Sequence, residues 1–232
     1  MPITLGSPGA PPESPSQARS PEDAPDSPKR RDPEATRRAI LDAAENLFAD
    51  FGPAATSLAR VAKTAGITKS LIHHHFGSKE ELWHEVQGRY FQEYFENQKA
   101  MIEGSESTAD LLRDSLVAYF EFLRLNPKSV KFLAWSFAIS DENHCPTGEE
   151  EELFELGIEK IKESQAKGEI RDDLEPFFII KTLIALPFQW FLTRQDTLSL
   201  IDDSVEGTRL DEMYLHDTIE LFLHGVRPRG AS

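Results

Sequence analysis

The sequence has little of what would point to a secreted, membrane or catalytic protein. Its only cysteine is Cys145, so no disulfide within the chain is possible, and a reducing compartment is expected. The most apolar run, residues 177–192, contains a lysine, a proline and a glutamine, and it is shorter than the roughly 20 residues that span a bilayer. We therefore predict a cytoplasmic protein without a transmembrane segment.

Motifs for catalysis and for metal or cofactor binding are also missing. The sequence has no glycine-rich phosphate loop, no nucleophile elbow and no paired metal motif. Residues 73–75 are three consecutive histidines, but neighbours on a helix point about 100° apart, and metal ligands on helices prefer a spacing of three or four. His144 and Cys145 are interpreted as part of a solvated loop. We predict that the protein is not an enzyme and that it uses no metal and no cofactor.

Residues 56–82 have the pattern of two short helices joined by a tight turn and followed by a third helix. Thr56 or Ser57 can cap the first helix, and Thr68 can cap the second. Gly66 lies between them, where glycine adopts a left-handed backbone without strain. Small and apolar residues lie where the two helices must cross: Leu58, Val61, Ala62, Ala65, Ile67, Ile72 and Phe76.

Polar side chains occupy the other side of the second short helix, at Lys69, Ser70, His73 and His74. The spacing of four pairs Lys69 with His73 and Ser70 with His74, and both pairs face away from the first helix. A helix of about two turns is long enough to present such side chains to a major groove. The pattern is that of a helix-turn-helix, and it predicts DNA as a partner.

This segment resembles the DNA-binding segment of TetR-type transcriptional regulators. Residues 36–51 form an amphipathic pattern that fits the first helix of that family, and Gly52 ends it. Two positions depart from the family pattern. Ser70 stands where a glycine or another small residue is usual, and His73 replaces an aromatic residue that contacts the DNA backbone. The matching positions are Thr56, Val61, Ala62, Ala65, Gly66, Ile67, Thr68, Lys69, Phe76 and residues 78–82.

The resemblance implies an all-α protein in four parts: a disordered tail at 1–31, a three-helix DNA-binding head at 32–82, a helical body for effector binding and dimerisation at 83–226, and a flexible tail at 227–232. It implies a sequence-specific transcriptional regulator, more often a repressor than an activator, that a small and largely apolar effector releases from DNA. Lys79, with its helix terminus, would contact a phosphate. The expected DNA contacts are Thr56, Ser57, Thr68, Lys69, Ser70, Leu71, His73, His74 and Lys79. The alternative is a helical interaction module whose head binds a protein.

The net charge of −15 is unusual for a DNA-binding protein, but it is unevenly distributed. Residues 29–69 contain eight Lys or Arg against five Asp or Glu, whereas residues 105–232 contain thirteen against twenty-five. The acidic character therefore belongs to the second half of the chain, and a cationic face remains near the helix-turn-helix. We expect DNA binding that weakens with salt and, because histidine titrates near neutrality, strengthens as the pH falls toward 6.

The N-terminal 28 residues contain eight prolines, five serines and almost no large apolar residue. Such a segment buries too little surface to offset the cost of ordering, so we predict disorder. It has no basic stretch followed by an apolar run, and so it is not a signal peptide. Two interpretations remain for the basic end of the tail, Lys29–Arg31. It is either a solvated junction or an arm that contacts phosphates or the minor groove.

Amphipathic patterns predict helices throughout the second part of the chain, with loops at 141–148 and 197–208. The predicted helices span 78–101, 108–125, 127–140, 149–166, 175–195 and 210–225. The helix at 175–195 is apolar on nearly all sides and must be covered on nearly all sides. The resemblance implies that it forms a four-helix homodimer interface with 210–225, so that two heads read a palindromic operator. The alternative is burial within one subunit.

Aromatic residues are frequent in the helices of the body. For each of them an ordinary place in the core is one interpretation. The resemblance implies the other, a pocket whose small-molecule ligand shifts the separation of the two DNA-binding heads. The candidate pocket residues are Phe91, Tyr94, Tyr119, Phe120, Trp135, Phe188 and Trp190.

Overall fold

The computed structural model describes residues 32–139, 148–201 and 206–228, and this part of the chain contains nine α-helices and no strand. The predicted all-α fold is confirmed. The predicted tail at 1–31, its basic end, the loop with His144 and Cys145, and the last four residues lie outside the described residues. The helices are α1 (Pro33–Ala55), α2 (Leu58–Ala65), α3 (Lys69–Phe76), α4 (Lys79–Gly104), α5 (Thr108–Leu125), α6 (Pro127–Ile139), α7 (Glu149–Ala166), α8 (Pro176–Leu200) and α9 (Gly207–Val226).

The helix bounds agree with the sequence patterns except at α8. Helices α5 and α7 have the predicted bounds, and α1 is interrupted as predicted at Gly52 (φ 73°, ψ 162°), after which one further turn follows. The loop predicted at 197–208 is wrong at both ends, because α8 continues to Leu200 and α9 begins at Gly207. Within this extension the Thr197 hydroxyl donates to the Thr193 carbonyl oxygen, so polar side chains are accommodated without ending the helix.

The head consists of α1, α2 and α3 packed on the beginning of α4. Phe48 of α1, Val61 of α2 and Ile72 of α3 are fully buried in one apolar cluster. This cluster continues beyond the domain boundary that the sequence predicts after residue 82. Trp83 packs its ring 5.3 Å from that of Phe48 and 5.5 Å from that of Phe132 in α6. The head is therefore built directly onto α4 and α6, and the domain boundary after residue 82 stays a prediction.

The kink in α1 lies directly against α6. A Cβ atom at Gly52 would lie 2.9 Å from the Trp135 ring, so the indole rests on the glycine backbone. The positive φ of Gly52 also favours glycine there. Thr56 closes the last turn of α1, because its buried hydroxyl lies 2.8 Å from the Gly52 carbonyl oxygen and 3.2 Å from that of Leu47.

The body has two further apolar clusters, arranged around α5. In the first, Leu112 and Leu116 of α5 pack on Leu183 of α8 and Phe222 of α9. In the second, Phe120 packs on α8 and α9 near Trp190, whose ring stacks 4.4 Å from that of Tyr214.

A buried carboxylate joins α8 to α9 beside this stack. Asp211 accepts a hydrogen bond from Trp190 Nε1 (2.9 Å) and two from the Arg194 guanidinium (2.7 and 3.0 Å). The carboxylate pairing raises the pKa of Arg194. Because Asp211 is both charge-paired and hydrogen-bonded, the cost of burying it is offset.

Helices α8 and α9 leave a broad apolar surface outside the subunit. We define the α8/α9 face as the exposed apolar residues Phe177, Phe178, Leu192, Leu200, Met213 and Leu221. By length and composition alone α8 could cross a membrane, since it has 25 residues and only 28% of its most apolar window is buried in the subunit. Helix α8 is longer than the apolar run at residues 177–192, because it extends that run by nine residues in total at its two ends.

Candidate nucleic-acid interface

The turn between α2 and α3 has the geometry that the sequence predicts. Ser57, not Thr56, caps α2, and its hydroxyl accepts from the Arg60 amide at 3.2 Å. Gly66 adopts the left-handed conformation (φ 65°, ψ 35°), and the following Ile67 amide donates to the Ala62 carbonyl at 3.0 Å. This closure of α2 sets the direction of α3.

Helix α3 presents its predicted polar face to the outside. Lys69, Ser70, His73 and His74 are all exposed, whereas Ile72 and Phe76 on the other side are buried in the head. Thr68 is the N-cap residue by backbone geometry, but its hydroxyl forms no capping hydrogen bond. Thr68 and Ser57 are exposed, and Leu71 is half-buried. A continuous polar surface of the size of a recognition helix is thus supported from beneath by apolar packing.

His73 is held in one orientation by its own helix end. Its Nδ1 lies 2.7 Å from the carbonyl oxygen of Gly77, so Nδ1 carries the proton and donates. Nε2 is then an acceptor in the neutral ring and a donor in the protonated ring. His75 is half-buried, with its ring 6.2 Å from that of Phe76.

Two of the predicted DNA contacts are engaged inside the head. Thr56 is 1% exposed and both of its hydroxyl contacts are to backbone carbonyls, so its side chain is structural. The half-buried Lys79 donates from Nζ to the Pro53 carbonyl oxygen at 2.9 Å and ties α4 to the last turn of α1. At the same helix end Ser78 and Glu81 form a capping box, in which the Ser78 amide donates to Glu81 Oε2 at 2.7 Å.

Helix α2 supplies cations that were not among the predicted contacts. Arg60 and Lys63 are exposed on α2, and the Arg60 guanidinium lies 3.8 Å from the centre of the Phe51 ring. This cation–π contact holds the long side chain near the surface of the head. The excess of basic residues in 29–69 was the sequence signal for additional phosphate contacts, but it did not distinguish between individual residues.

The seven predicted pocket residues lie in different parts of the described structure. Phe91 belongs to the core of the head, Phe120 and Trp190 belong to the cluster beside α9, and Phe188 contacts Phe137 at 5.4 Å between ring centres. Helical periodicity identifies an inward face but not the neighbour that it meets, so a pocket formed by all seven stays a prediction.

Among the described residues, two of the seven line an opening or a cavity, and a third lies directly behind one of them. Trp135 lines an opening between the end of α1 and α6, α8 and α9. Tyr94 lines a cavity between α4, α5, α7 and α8, and the Tyr119 ring lies behind it at 5.5 Å. The empty space in that cavity, counted out to its open mouth, is about 580 Å³. Its wall is mostly aliphatic, with Gln98 and Lys160 among the few polar residues.

Comparisons with known proteins agree with this geometry. Residues 40–86 match the profile of "Bacterial regulatory proteins, tetR family". The chain is 28% identical over 155 residues to the HTH-type transcriptional repressor KstR2 of Mycolicibacterium smegmatis, covering 66% of this chain and 75% of that protein. It is 46% identical over 46 residues to the HTH-type transcriptional regulator BetI of Rhizobium meliloti, covering 20% and 23% of the two chains.

A crystal structure of a TetR family transcription regulator from Marinobacter aquaeolei shares the fold. Its TM-score is 0.64 at 14% identity, over 84% of this chain and 97% of that one. The resemblance stated from residues 56–82 and the predicted DNA-binding function are confirmed. Residues 40–86 are thus similar to the DNA-binding domain of TetR-family regulators, and the chain is a DNA-binding transcriptional regulator that resembles that family.

Proposed function

We propose that the protein is a cytoplasmic homodimeric repressor that binds a palindromic operator through two copies of α3 and is released by a small molecule bound in the body. The observation that carries the proposal is the exposed polar face of α3, fixed from beneath by Ile72 and Phe76. The similarity to KstR2, which is a transcriptional repressor, supports the sign of regulation.

Different residues serve different kinds of DNA contact in this proposal. Lys69, Ser70 and His74 read base edges, because they lie on the first two turns of α3, where a recognition helix approaches the groove. Ser57, Thr68 and Arg60 contact phosphates on either side. His73 adds a phosphate contact when Nε2 is protonated.

The α8/α9 face supports dimerisation. Phe178 is 64% exposed, Leu200 is 85% exposed and Leu221 is 76% exposed, although a soluble monomer rarely leaves so many large apolar residues uncovered on neighbouring helices. A second copy that covers the same face produces an isologous dimer with a two-fold axis. Two heads related by that axis match a palindrome with half-sites about one helical turn apart.

The cavity beside Tyr94 supports effector binding. It lies among α4, α5, α7 and α8, and α4 is also the helix on which the head rests. A ligand that binds better to a conformation with the heads spread apart lowers operator affinity by its differential affinity for the two conformations.

Selection of bound duplexes from a random pool tests the DNA part of the proposal, and the expected product is a palindrome. The Lys69→Ala variant should bind the selected duplex roughly tenfold or more weakly, and it should tolerate changes in one base position of each half-site. Lys167→Ala is the matched control, because Lys167 is exposed at the far end of α7.

The competing interpretation, a head that binds protein, makes the opposite prediction. If Lys69→Ala and His74→Ala both retain the parent affinity for every selected duplex, α3 is not the reading element and the protein-binding interpretation is favoured. A selected sequence without two-fold symmetry would remove the dimeric arrangement while leaving DNA binding intact.

A further inference from the structure

Polar side chains line one part of the cavity between α4, α5, α7 and α8. Gln98 of α4 is only 5% exposed, yet its side-chain amide has no hydrogen bond to any described residue. Every fully enclosed side-chain nitrogen or oxygen in the described part of the chain has a hydrogen-bond partner. The Gln98 amide has none, so it must border open space. The open space that Gln98 lines is this cavity. A buried amide without a partner is costly, and a ligand with a hydrogen-bonding group would remove that cost.

Tyr94, one helical turn before Gln98, adds a second donor to the same wall. Its hydroxyl has no hydrogen bond within the described residues. Burial, and to a lesser extent the neighbouring Tyr119, raises the pKa of Tyr94 well above its ordinary value. The hydroxyl therefore stays protonated and offers a proton to a ligand at any physiological pH.

Lys160 contributes the charge. It lines the cavity from α7, half-buried, and its Nζ donates to the Ser105 carbonyl oxygen at 2.7 Å. Within residues 32–139, 148–201 and 206–228 no carboxylate lies within 4.0 Å of this ammonium group. By contrast, Lys99 of α4, outside the cavity wall, is paired with Glu152 at 2.5 Å. A partly desolvated cation without a counterion favours an anion as its partner.

The rest of the wall is aliphatic and branched. Leu112, Ile161, Ile180 and Leu183 surround the space, with Phe154 as the one phenylalanine in the lining. Such a wall favours a saturated, flexible hydrocarbon over a charged or strongly hydrated molecule.

We propose that this cavity binds an amphipathic anion, with an aliphatic body among the Leu and Ile side chains and a carboxylate-type head group that accepts hydrogen bonds from Lys160 Nζ and from the Gln98 amide. The inference rests on the proposed function, since it assigns a chemical class to the effector. It differs from a purely apolar effector, because the charge at Lys160 contributes to recognition.

Isothermal titration calorimetry of the whole chain, without DNA, tests the proposed chemical class of the ligand. The three probes have the same chain length and differ in the head group: octanoate, octan-1-ol and octylammonium. Octanoate should bind roughly tenfold or more tightly than octan-1-ol, the factor that one charge-assisted hydrogen bond supplies, and octylammonium should bind most weakly. Equal affinity for octanoate and octan-1-ol, or no binding of octanoate, overturns the proposal.

Two variants of similar shape locate the head group. Lys160→Met should reduce the affinity for octanoate to that for octan-1-ol, and Gln98→Leu should weaken the binding of both about fivefold or more. Lys162→Met, an exposed lysine on the same helix, is the control and should change neither affinity. If Lys160→Met destabilises the fold because it loses the Ser105 contact, Gln98→Leu decides alone. Retention of the parent preference for octanoate in folded Lys160→Met, or of the parent affinity for both ligands in Gln98→Leu, overturns the proposal.

Operator binding by the same preparations keeps this test separate from the proposed function. Loss of the octanoate preference with intact operator binding removes only the ligand class. Selective octanoate binding by a protein that selects no duplex from the random pool would instead remove the operator proposal and leave the cavity assignment.

Discussion

The head and the body leave very different surfaces uncovered. In the head the one large apolar side chain that is exposed is Phe51, and the Arg60 guanidinium lies over its ring. In the body the exposed large apolar residues include the whole α8/α9 face as well as Leu125, Phe137 and Ile139. The head therefore completes its core within one chain, and its exposed side chains are polar. The body places its most apolar helix at the surface.

This difference shows how one chain separates two kinds of recognition. A surface that reads DNA must be wetted and charged before it meets the duplex, so the residues that support it are buried beneath it. A surface that pairs with a second copy can be apolar, because it is covered after assembly. Four sets of substitutions test whether the two regions differ in this way.

The largest effect is expected from charging the α8/α9 face. The double substitution Phe178→Glu, Leu221→Glu should shift the dimer toward monomers, with a dissociation constant weaker by about 10³-fold or more, because each Glu would be buried without a partner. Sedimentation at several concentrations measures the change. Ala166→Glu, exposed at the end of α7, is the control. An unchanged dimer in the double variant would assign the interface to another surface.

The next effect concerns the closed core of the head. Phe48→Ala should lower the free energy of unfolding by about 3–5 kcal/mol, because Phe48 is fully buried among α1, α2 and α4. Denaturant unfolding followed by circular dichroism measures it. Leu125→Ala should change the same quantity by less than about 0.5 kcal/mol, since Leu125 is 67% exposed. Similar losses for both variants would contradict the contrast between the regions.

A smaller effect is expected from replacing glycine by alanine, and the resulting change in stability should have opposite signs at two positions. Gly66→Ala should destabilise the head by about 1–2 kcal/mol, because an alanine is strained at φ 65° although nothing obstructs its Cβ. Gly88→Ala, in the middle of α4 and equally unobstructed, should stabilise the protein by about 0.5–1 kcal/mol. Thermal unfolding of both variants measures the pair. A stabilising Gly66→Ala would show that the turn is not left-handed.

The smallest effect separates the two N-caps of the helix-turn-helix. Ser57→Ala should cost about 1 kcal/mol of stability, because it removes the hydrogen bond to the Arg60 amide. Thr68→Ala should lower the stability by only about 0.3 kcal/mol, since the Thr68 hydroxyl makes no capping hydrogen bond. Equal losses of stability in the two variants would mean that Thr68 caps α3 in solution. Operator binding then shows whether Thr68 serves a phosphate instead.

The parts of the fold that depend on local chemistry could be predicted from the sequence. The caps, Gly66 and the spacing of Ile72 and Phe76 act over a few residues, and they determine α2, the turn and the exposed face of α3. Long-range partners could not be predicted in this way. Lys79 is at a helix N-terminus as expected, but its ammonium donates to a carbonyl 26 residues earlier in the chain.

The same limit explains the candidate pocket. Seven aromatic residues shared an inward face on their own helices, but the crossing of the helices sent them to separate clusters. Gln98, whose amide has no hydrogen bond within the described residues, and Lys160, whose ammonium has no carboxylate partner there, have no sequence signature, because a glutamine or a lysine on an amphipathic helix is usually solvated. Only packing shows that the two lie beside a cavity.

The bare backbone of Gly52 beneath Trp135 has a mechanical consequence. A side chain at that point could change rotamer when the indole moves slightly, whereas glycine has no side chain between its backbone and the ring. The same turn of α1 is also fixed to α4, because the Lys79 ammonium donates a hydrogen bond to the Pro53 carbonyl oxygen. We therefore expect that a tilt of α6 would press directly on the backbone of the last turn of α1, which ends two residues before the cap that begins α2.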